Sequence, residues 1–238
     1  WYDTGAVEAA TLYVSLFEHS KILQITTLHD TPSGDVDTVD FELSGVRFTA
    51  ISAGPYFALN ASVSLMVTCR SADEVDRLYA GLSEGATELM PLGEYPFSKR
   101  YVWLADRFGL NWQLTYFETD EITQKIRPNL LFANEVCGKA GEAFAFYESV
   151  FPGSVPGYVN HYAEGEAEDK RAKINYAELT LLGHQFIAMD HGYGEGDAFN
   201  EAFSFMVLCK DQPEIDYYWE RLSFVPEAEQ CGWLKDKY

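Results

Sequence analysis

The stretch at residues 63–82, VSLMVTCRSADEVDRLYAGL, decides the fold because the chain contains it twice. Residues 203–222 read FSFMVLCKDQPEIDYYWERL. At a constant offset of 140, seven of the twenty positions are identical: Ser64/Ser204, Met66/Met206, Val67/Val207, Cys69/Cys209, Glu74/Glu214, Asp76/Asp216 and Leu82/Leu222. Unrelated sequences share far fewer, so the chain contains an internal duplication.

A helix pattern upstream of each copy is duplicated as well. Residues 6–17 carry apolar side chains at the i, i+3, i+4, i+7 spacing of a helix that lies on a sheet, and residues 140–151 repeat the pattern. Short runs rich in β-branched and aromatic residues follow, separated by turn residues. The sequence therefore predicts an α+β fold of two repeats, each made of two β-α-β-β-β modules.

Within the duplicated stretch, residues 63–68 alternate as a strand and a helix follows. Ser71 is the predicted N-cap of that helix, and Glu74 completes a capping box. The second copy keeps Glu214 and replaces the capping serine by Asp211. We expect the same strand and helix in both copies.

The duplication sets the predicted domain boundaries. We place a first domain at residues 1–117, a polar linker that contains Pro128 at 118–129, and a second domain at 130–238. The chain opens at Trp1 inside a predicted strand, and by comparison with the first repeat the last strand of the second domain falls beyond residue 238. We therefore expect further residues at both ends.

Composition narrows the class of protein. Hydrophobic residues make up 47% of the chain and the formal net charge is −20, so we expect packed cores and no binding to nucleic acid or to an anionic membrane surface. No apolar run has the length of a membrane span. The cysteines lack metal-site spacing, and Cys69 and Cys209 recur at a strand end, which predicts buried free thiols in a cytoplasmic protein.

Several motifs resemble one family. The modules, the (S)FMV-x-C strand in both copies and the GWLKDKY segment at residues 232–238 are similar to the PhnB-like branch of the vicinal-oxygen-chelate superfamily, which includes glyoxalase I and bleomycin-resistance proteins. The resemblance implies tandem glyoxalase/bleomycin-resistance-like domains. Members of this branch often carry the label 3-demethylubiquinone-9 3-methyltransferase. We expect no methyltransferase activity, because the glycine-rich segment at residues 192–196 precedes no predicted helix.

The resemblance also implies where a metal would bind. Enzymes of the superfamily place His, Gln or Glu ligands on strands that face a cavity. The family's Glu position falls on Gln113, and its His position falls on Ser62 in one repeat and Ala202 in the other. We therefore predict no catalytic residue, no metal ligand and no cofactor, and leave a divalent metal held by other positions as an alternative.

Core packing is the default interpretation of the aromatic residues near the closing strands, and an apolar ligand pocket is the alternative. The segment between residues 82 and 103 is longer than its counterpart and carries a small basic cluster, which is interpreted either as a solvated hairpin or as a cover over a cavity mouth that attracts an anionic group. The candidate ligand-binding residues are Phe57, Asn60, Lys99, Arg100, Trp103, Trp112, Gln113, Phe199, Asn200 and Trp233.

These features predict a cytoplasmic, metal-free protein of the bleomycin-resistance type that binds an apolar or aromatic small molecule. We expect the two repeats to pack as an internal pseudo-dimer, and a homodimer of whole chains stays open. Two alternatives remain. One is a metal-dependent lyase, isomerase or dioxygenase with ligands elsewhere, and the other is an interaction protein whose cavity is filled by its own side chains.

Overall fold

A computed structural model describes residues 1–31, 33–118 and 121–238 of the protein. The chain divides into two compact units. The first comprises Trp1–Asn129 and Phe199–Phe203, and the second comprises Leu130–Ala198 and Ser204–Tyr238. Each unit is α+β, as the sequence predicts.

The first module of the first unit follows the predicted order. Tyr2 forms a parallel bridge with Ser52, which gives the module its short first strand. Three antiparallel strands then form a sheet in the order β1-β2-β3. The elements are α1 (Ala6–Leu16), β1 (Lys21–Thr31), β2 (Gly34–Leu43) and β3 (Val46–Ser52).

The second module contains the duplicated stretch and forms the larger sheet of the first unit. Its strands run in the order β5-β6-β7-β4, and β4 pairs with β7 in parallel. The elements are β4 (Val63–Cys69), α2 (Ala72–Leu82), β5 (Thr87–Tyr95), β6 (Ser98–Ala105) and β7 (Asn111–Tyr116). Strand β8 (Ile126–Phe132) lies next to β4, with its first four residues in the first unit.

Strand β8 also changes the extent of the predicted linker. The strand begins at Ile126, so the last four residues of the segment predicted as a linker are part of a sheet. Residues 119 and 120 of that segment lie outside the described residues.

Side-chain alternation gives the sheet of the second module two distinct faces. Leu65 and Val67 on β4, and Trp112 and Leu114 on β7, belong to the hydrophobic core together with residues of α1 and α2. Their neighbours along the same strands, among them Gln113, point to the opposite face, which is rich in polar groups although it is buried. The helices therefore cover one face, and the other is the place to look for a site.

The predicted capping box of α2 is confirmed. The Ser71 hydroxyl accepts a hydrogen bond from the Glu74 backbone N–H at 3.1 Å, and the Glu74 carboxylate accepts one from the Arg70 N–H at 2.7 Å. Lys125 lies 2.6 Å from the same carboxylate. Burial alone raises the pKa of Glu74. The hydrogen bonds from Lys125 and from the Arg70 N–H outweigh that effect, so the pKa of Glu74 is lowered overall.

The second unit contains one whole module and part of another. Its sheet runs in the order β8-β11-β10-β9, and α3 packs on β10 and β11. The remaining elements are α3 (Ala140–Val150), β9 (Val155–His161), β10 (Ile174–Leu181), β11 (His184–Asp190) and α4 (Gln212–Leu222). As the duplication predicts, Asp211 caps α4 by accepting a hydrogen bond from the Glu214 N–H at 3.0 Å.

The strand predicted for the second copy, by contrast, does not form. In β4, which β7 and β8 flank, Met66 is only 6% exposed. Its copy Met206 is 71% exposed, and residues 204–208 are not in a strand. A strand needs neighbours, and sequence identity alone does not supply them.

Each helix of the described residues is too short or too polar to cross a membrane.

Candidate functional site

Four hydrogen-bonded polar side chains cross adjacent strands of the first unit, on the face away from the helices. The Tyr101 hydroxyl donates to Gln113 Oε1 at 2.7 Å, and Gln113 Nε2 donates to Ser64 Oγ at 2.9 Å. Asn129 Nδ2 donates to the same Ser64 oxygen at 3.3 Å. The four residues lie on β6, β7, β4 and β8, which are consecutive in the sheet. We call this set the polar row.

The polar row is buried. Tyr101 and Gln113 are each 3% exposed, and Ser64 and Asn129 are 0% exposed. Burial, together with the nearby Tyr95, raises the pKa of Tyr101, so its hydroxyl stays protonated and donates. Buried polar atoms are nearly always paired, yet no described residue donates to Asn129 Oδ1. The row therefore retains hydrogen-bonding capacity at its Asn129 end.

A positive charge lies on the same face. Arg127 is two residues before Asn129 on β8 and is only 6% exposed. Its Nη2 donates to the Thr68 hydroxyl on β4 at 3.2 Å. Arg127 thus adds a positively charged guanidinium to the face that carries the polar row, whose four side chains are neutral.

The long segment of the second module forms the β5–β6 hairpin, and its aromatic tip contacts the polar row through Tyr101. Tyr95 and Phe97 stack with their ring centroids 5.5 Å apart. Each is edge-on to Tyr101, at 5.4 and 5.0 Å. Phe97 is 59% exposed. An apolar, accessible cluster therefore adjoins a polar one, with the Tyr101 ring in the first and its hydroxyl in the second.

Two of the residues predicted from the sequence lie on this face. Gln113 is the second member of the polar row. Trp103 pairs with Gln113 across β6 and β7, and its Nε1 donates to Asn111 Oδ1 at 3.1 Å. The structure therefore brings Trp103 and Gln113 together, as a ligand site would need.

Trp112 lies on the opposite face, in the core. It is 0% exposed and stacks on Phe17 with ring centroids 5.4 Å apart. Its Nε1 donates to Asp106 Oδ2 at 2.9 Å. Since Trp112 and Gln113 are consecutive in a strand, their side chains must point to opposite faces. Only one of them is available to a ligand on the polar face.

Phe57, Asn60, Phe199 and Asn200 belong to loops of the first unit that are held by asparagine side chains. Asn60 Oδ1 accepts hydrogen bonds from the Ser62 N–H at 3.0 Å and the Ser62 hydroxyl at 2.6 Å. Asn200 Oδ1 accepts one from the Ala202 N–H at 2.8 Å. These local turns explain why asparagine recurs at matching places in both repeats.

The rings of these loops pack on other parts of the chain. Phe57 lies edge-on to Trp1 with ring centroids 5.3 Å apart. Phe199 is half-buried. The ring contact of Phe57 and the hydrogen bonds of Asn60 and Asn200 are contacts of loop packing.

Lys99 and Arg100, the predicted basic cluster, each form an ion pair with a carboxylate. Lys99 Nζ lies 2.6 Å from Glu118, which raises the pKa of the lysine, and Arg100 Nε lies 2.7 Å from Asp76. Trp233 belongs to the second unit, where it is 52% exposed and its backbone bridges to Gln230.

The polar row does not fit the divalent metal that the superfamily's enzymes use. Its donors are a phenol, two carboxamides and a serine hydroxyl, whereas transition metals prefer imidazole, thiolate and carboxylate. Ser62, at the predicted histidine position, donates its hydroxyl to Asn60. Within residues 1–31, 33–118 and 121–238, no three His, Cys, Asp or Glu side chains are placed to hold a metal ion.

Three members of the polar row were missed from the sequence: Ser64, Tyr101 and Asn129. A signal for Ser64 was present in the sequence, because the residue is identical to Ser204 in the second copy. Ser64 is also a polar residue between two apolar residues of β4. Tyr101 and Asn129 are recognisable only once the strand order places β6 and β8 on either side of the β7–β4 pair.

A family model described as 3-demethylubiquinone-9 3-methyltransferase matches residues 1–115 and 124–238. Among solved structures, the PhnB protein from Bacillus cereus is 35% identical over 49% of this chain and 94% of its own, with a TM-score of 0.46. A Staphylococcus aureus protein is 32% identical over 49% of this chain and 91% of its own, with a TM-score of 0.23.

A more distant likeness concerns the fold alone. The V278E mutant of glyoxalase I from Zea mays is 11% identical, covers 82% of this chain and 67% of its own, and has a TM-score of 0.55. No curated protein matches the chain.

Proposed function

The chain belongs to the 3-demethylubiquinone-9 3-methyltransferase family, whose model matches it once in each half, and from this premise we propose that it binds a small organic ligand without a metal ion. The tandem α+β architecture and the PhnB-like, glyoxalase-type resemblance predicted from the sequence are confirmed by these matches and by the likeness to glyoxalase I. The ligand site we propose is the polar row of the first unit.

The observation that carries the proposal is the chemistry of the row. Tyr101, Gln113, Ser64 and Asn129 are neutral hydrogen-bonding groups that are buried and linked in series. None of these four has the basicity of a general base near neutral pH, and a carboxamide is a poor metal ligand. Such a set orients a bound molecule by hydrogen bonds.

The aromatic tip of the hairpin supplies the other half of the proposed site. Tyr95, Phe97 and Tyr101 form a cluster of rings, and aromatic faces favour flat, apolar partners. A ligand with an aromatic body and one polar group would place the body against the rings and the polar group in the row. Binding would then act by sequestration, as we expect from the bleomycin-resistance resemblance.

The family's description names a methyltransferase, and our proposal departs from it. The glycine-rich segment at residues 192–196 follows β11 (His184–Asp190), and the next α-helix begins only at Gln212. A nucleotide-type cofactor loop connects a strand directly to a helix, so that the helix N-terminus faces the ligand. This segment lacks that arrangement.

A thermal-shift screen with intact protein tests the proposal. Flat aromatic compounds that carry one polar group are expected to raise the melting temperature, before and after treatment with EDTA. Gln113→Leu is expected to lose the shift because it breaks the row at its centre. Thr115→Val is the matched control: Thr115 is buried on the same strand and face, but its hydroxyl bonds Ser98 outside the row. Stoichiometric metal in the purified protein, with an activity lost on chelation, would overturn the proposal.

Three further expectations stay proposals. The cysteines Cys69, Cys137, Cys209 and Cys231 are free thiols, which suits the reducing compartment we propose. A homodimer of chains is open to measurement by light scattering, and the internal pseudo-dimer of the two repeats stays a proposal.

A further inference from the structure

A cavity of about 620 Å³ lies in the second unit, between the start of α3 and the residues that lead into β10. Its volume falls within the range of roughly 300–1,000 Å³ that small-molecule sites occupy. The residues that line it all fall within 135–174, whereas the polar row belongs to the first unit. The cavity is therefore separate from the ligand site proposed above.

The lining of this cavity is positively charged in a protein whose net charge is −20. Three basic and two acidic residues line it, which gives a formal charge of +1: Lys139, Arg171, Lys173, Glu135 and Glu142. The protein as a whole repels anions, and a local excess of positive charge attracts them. An anionic group is therefore the ligand chemistry that this cavity favours.

Arg171 is oriented by Asp169 in a way that leaves hydrogen-bond donors over. Its Nη2 donates to Asp169 Oδ2 at 2.7 Å, and its Nε donates to Oδ1 at 3.1 Å. This pairing uses one edge of the planar guanidinium. Because the guanidinium has five N–H donors in a fixed fork, the Nη1 group and one Nη2 proton are left for a second oxyanion.

Lys173 supplies a second cation, and a buried carboxylate fixes its backbone. Asp190, which is 0% exposed, accepts through Oδ2 from the N–H groups of Lys173 and Ile174, each at 2.9 Å. Its Oδ1 accepts from the N–H groups of Gly138 and Ala140, at 2.9 and 3.1 Å. Asp190 therefore joins the two walls of the cavity and holds Lys173 at a set place relative to α3.

The remaining charges of the lining compete little with this pair of cations. Lys139 and Glu142 lie 2.7 Å apart and are both about half exposed, so they offset each other in charge. Among the described residues, by contrast, no carboxylate forms an ion pair with the Lys173 ammonium group. Arg171 and Lys173 are thus the groups available to an anion.

We propose that the cavity binds a small organic phosphate, whose phosphate group is held by Arg171 and Lys173. The open edge of the Arg171 fork takes two phosphate oxygens, and the Lys173 ammonium group takes a third. A single carboxylate has only two oxygens, which the fork alone satisfies, so the two cations together favour phosphate. The rest of the cavity takes the organic part of the ligand.

The test titrates the intact protein with three probes: glycerol 3-phosphate, inorganic phosphate and glycerate. Dissociation constants are measured by calorimetry at constant ionic strength in a buffer without phosphate. We expect glycerol 3-phosphate to bind with a dissociation constant of about 1 mM or below. Inorganic phosphate should bind more weakly because it lacks the organic part, and glycerate because it lacks the phosphate group.

Variants locate the binding. Arg171→Gln and Lys173→Gln are each expected to weaken glycerol 3-phosphate about tenfold, the effect of losing one hydrogen bond to a charged group. Lys170→Gln is the matched control, because it removes the same charge from an exposed neighbour that does not line the cavity. All three side chains are exposed, so the fold is expected to survive, and circular dichroism checks this.

No binding of glycerol 3-phosphate would overturn the inference, and so would an affinity that stays unchanged in both Arg171→Gln and Lys173→Gln. An equal loss in Lys170→Gln would also overturn it, because the attraction would then be that of charge alone. Glycerate or inorganic phosphate binding as tightly as glycerol 3-phosphate would contradict the assignment of an organic phosphate. The proposed function stands in each case, since Gln113→Leu tests it at the polar row and is expected to leave phosphate binding unchanged.

Discussion

Gln113 and Asn129 donate hydrogen bonds to one atom, the hydroxyl oxygen of Ser64, from the two strands that flank β4. The distances are 2.9 Å from Gln113 Nε2 and 3.3 Å from Asn129 Nδ2. A single hydroxyl therefore links buried side chains of three strands. The duplicated stretch that decides the fold also supplies the central atom of the candidate site.

Removing that hydroxyl should destabilise the protein. Ser64→Ala leaves two buried carboxamide N–H groups without their acceptor, which costs about 2 kcal/mol of unfolding free energy. Urea denaturation of wild type and variant measures the difference. Thr115→Val, which removes one hydrogen bond to Ser98, should cost only about 1 kcal/mol. A Ser64→Ala variant as stable as wild type would mean that the row does not form.

Asp106 is expected to be essential for the packing of α1 on β7. Its Oδ2 accepts from the Tyr13 hydroxyl at 2.7 Å and from Trp112 Nε1 at 2.9 Å, while its Oδ1 accepts from the backbone N–H groups of Phe108 and Leu110. Asp106→Asn replaces one of these acceptors by an NH₂ group, so we expect a loss of about 2 kcal/mol in unfolding free energy. Unchanged stability would contradict this assignment.

The pH dependence of the same carboxyl has a definite sign. Burial raises the pKa of Asp106 above its ordinary value of 3.8, although the hydrogen bonds from Tyr13 and Trp112 oppose the shift. The folded state then holds the proton more tightly than the unfolded state. The contribution of Asp106 is therefore fully present below pH 3.8 and is lost as the pH rises through its folded pKa.

Denaturation of wild type and Asp106→Asn between pH 3 and pH 7 checks this sign, with roughly half-unit steps. The stability advantage of wild type over the variant should shrink as the pH rises. An advantage that grows with pH would show that the hydrogen bonds lower the pKa by more than burial raises it.

Thiol reactivity should follow burial. Burial raises the pKa of Cys69 to about 12, so its thiol is protonated at neutral pH and unreactive, while Cys231 is exposed. A disulfide reagent such as DTNB is expected to label Cys231 in the native protein and Cys69 only after unfolding. Peptide mapping distinguishes the sites, and Cys231→Ser should remove the fast phase. Rapid native labelling of Cys69 would contradict the buried position of β4.

Local features were predictable from the sequence because neighbouring residues determine them. The capping box of Ser71 and Glu74 is an example, since both residues and the N–H groups they bond lie within one turn. Gln113 was found through its position in the family pattern. The strand predicted at residues 204–208 fails for the opposite reason, because a strand depends on partners distant in sequence.

In the candidate site, too, the features that depend on distant strand partners were not predictable from the sequence. The tryptophans Trp103 and Trp112 look equivalent in the sequence, yet the first lies on the polar face and the second in the core. Tyr101 and Asn129 join the row only through the strand order β6-β7-β4-β8. Strand order comes from long-range pairing, which the residues of a single strand do not encode.

Metal-independent binding at the polar row is tested most directly by the affinity of intact protein for 2-naphthol, measured by calorimetry before and after exhaustive chelation. We predict the same dissociation constant in both states, and an affinity at least about tenfold weaker in Gln113→Leu, whose row is broken, with Thr115→Val unchanged. Loss of binding on chelation, with recovery when a divalent metal is restored, would contradict the account.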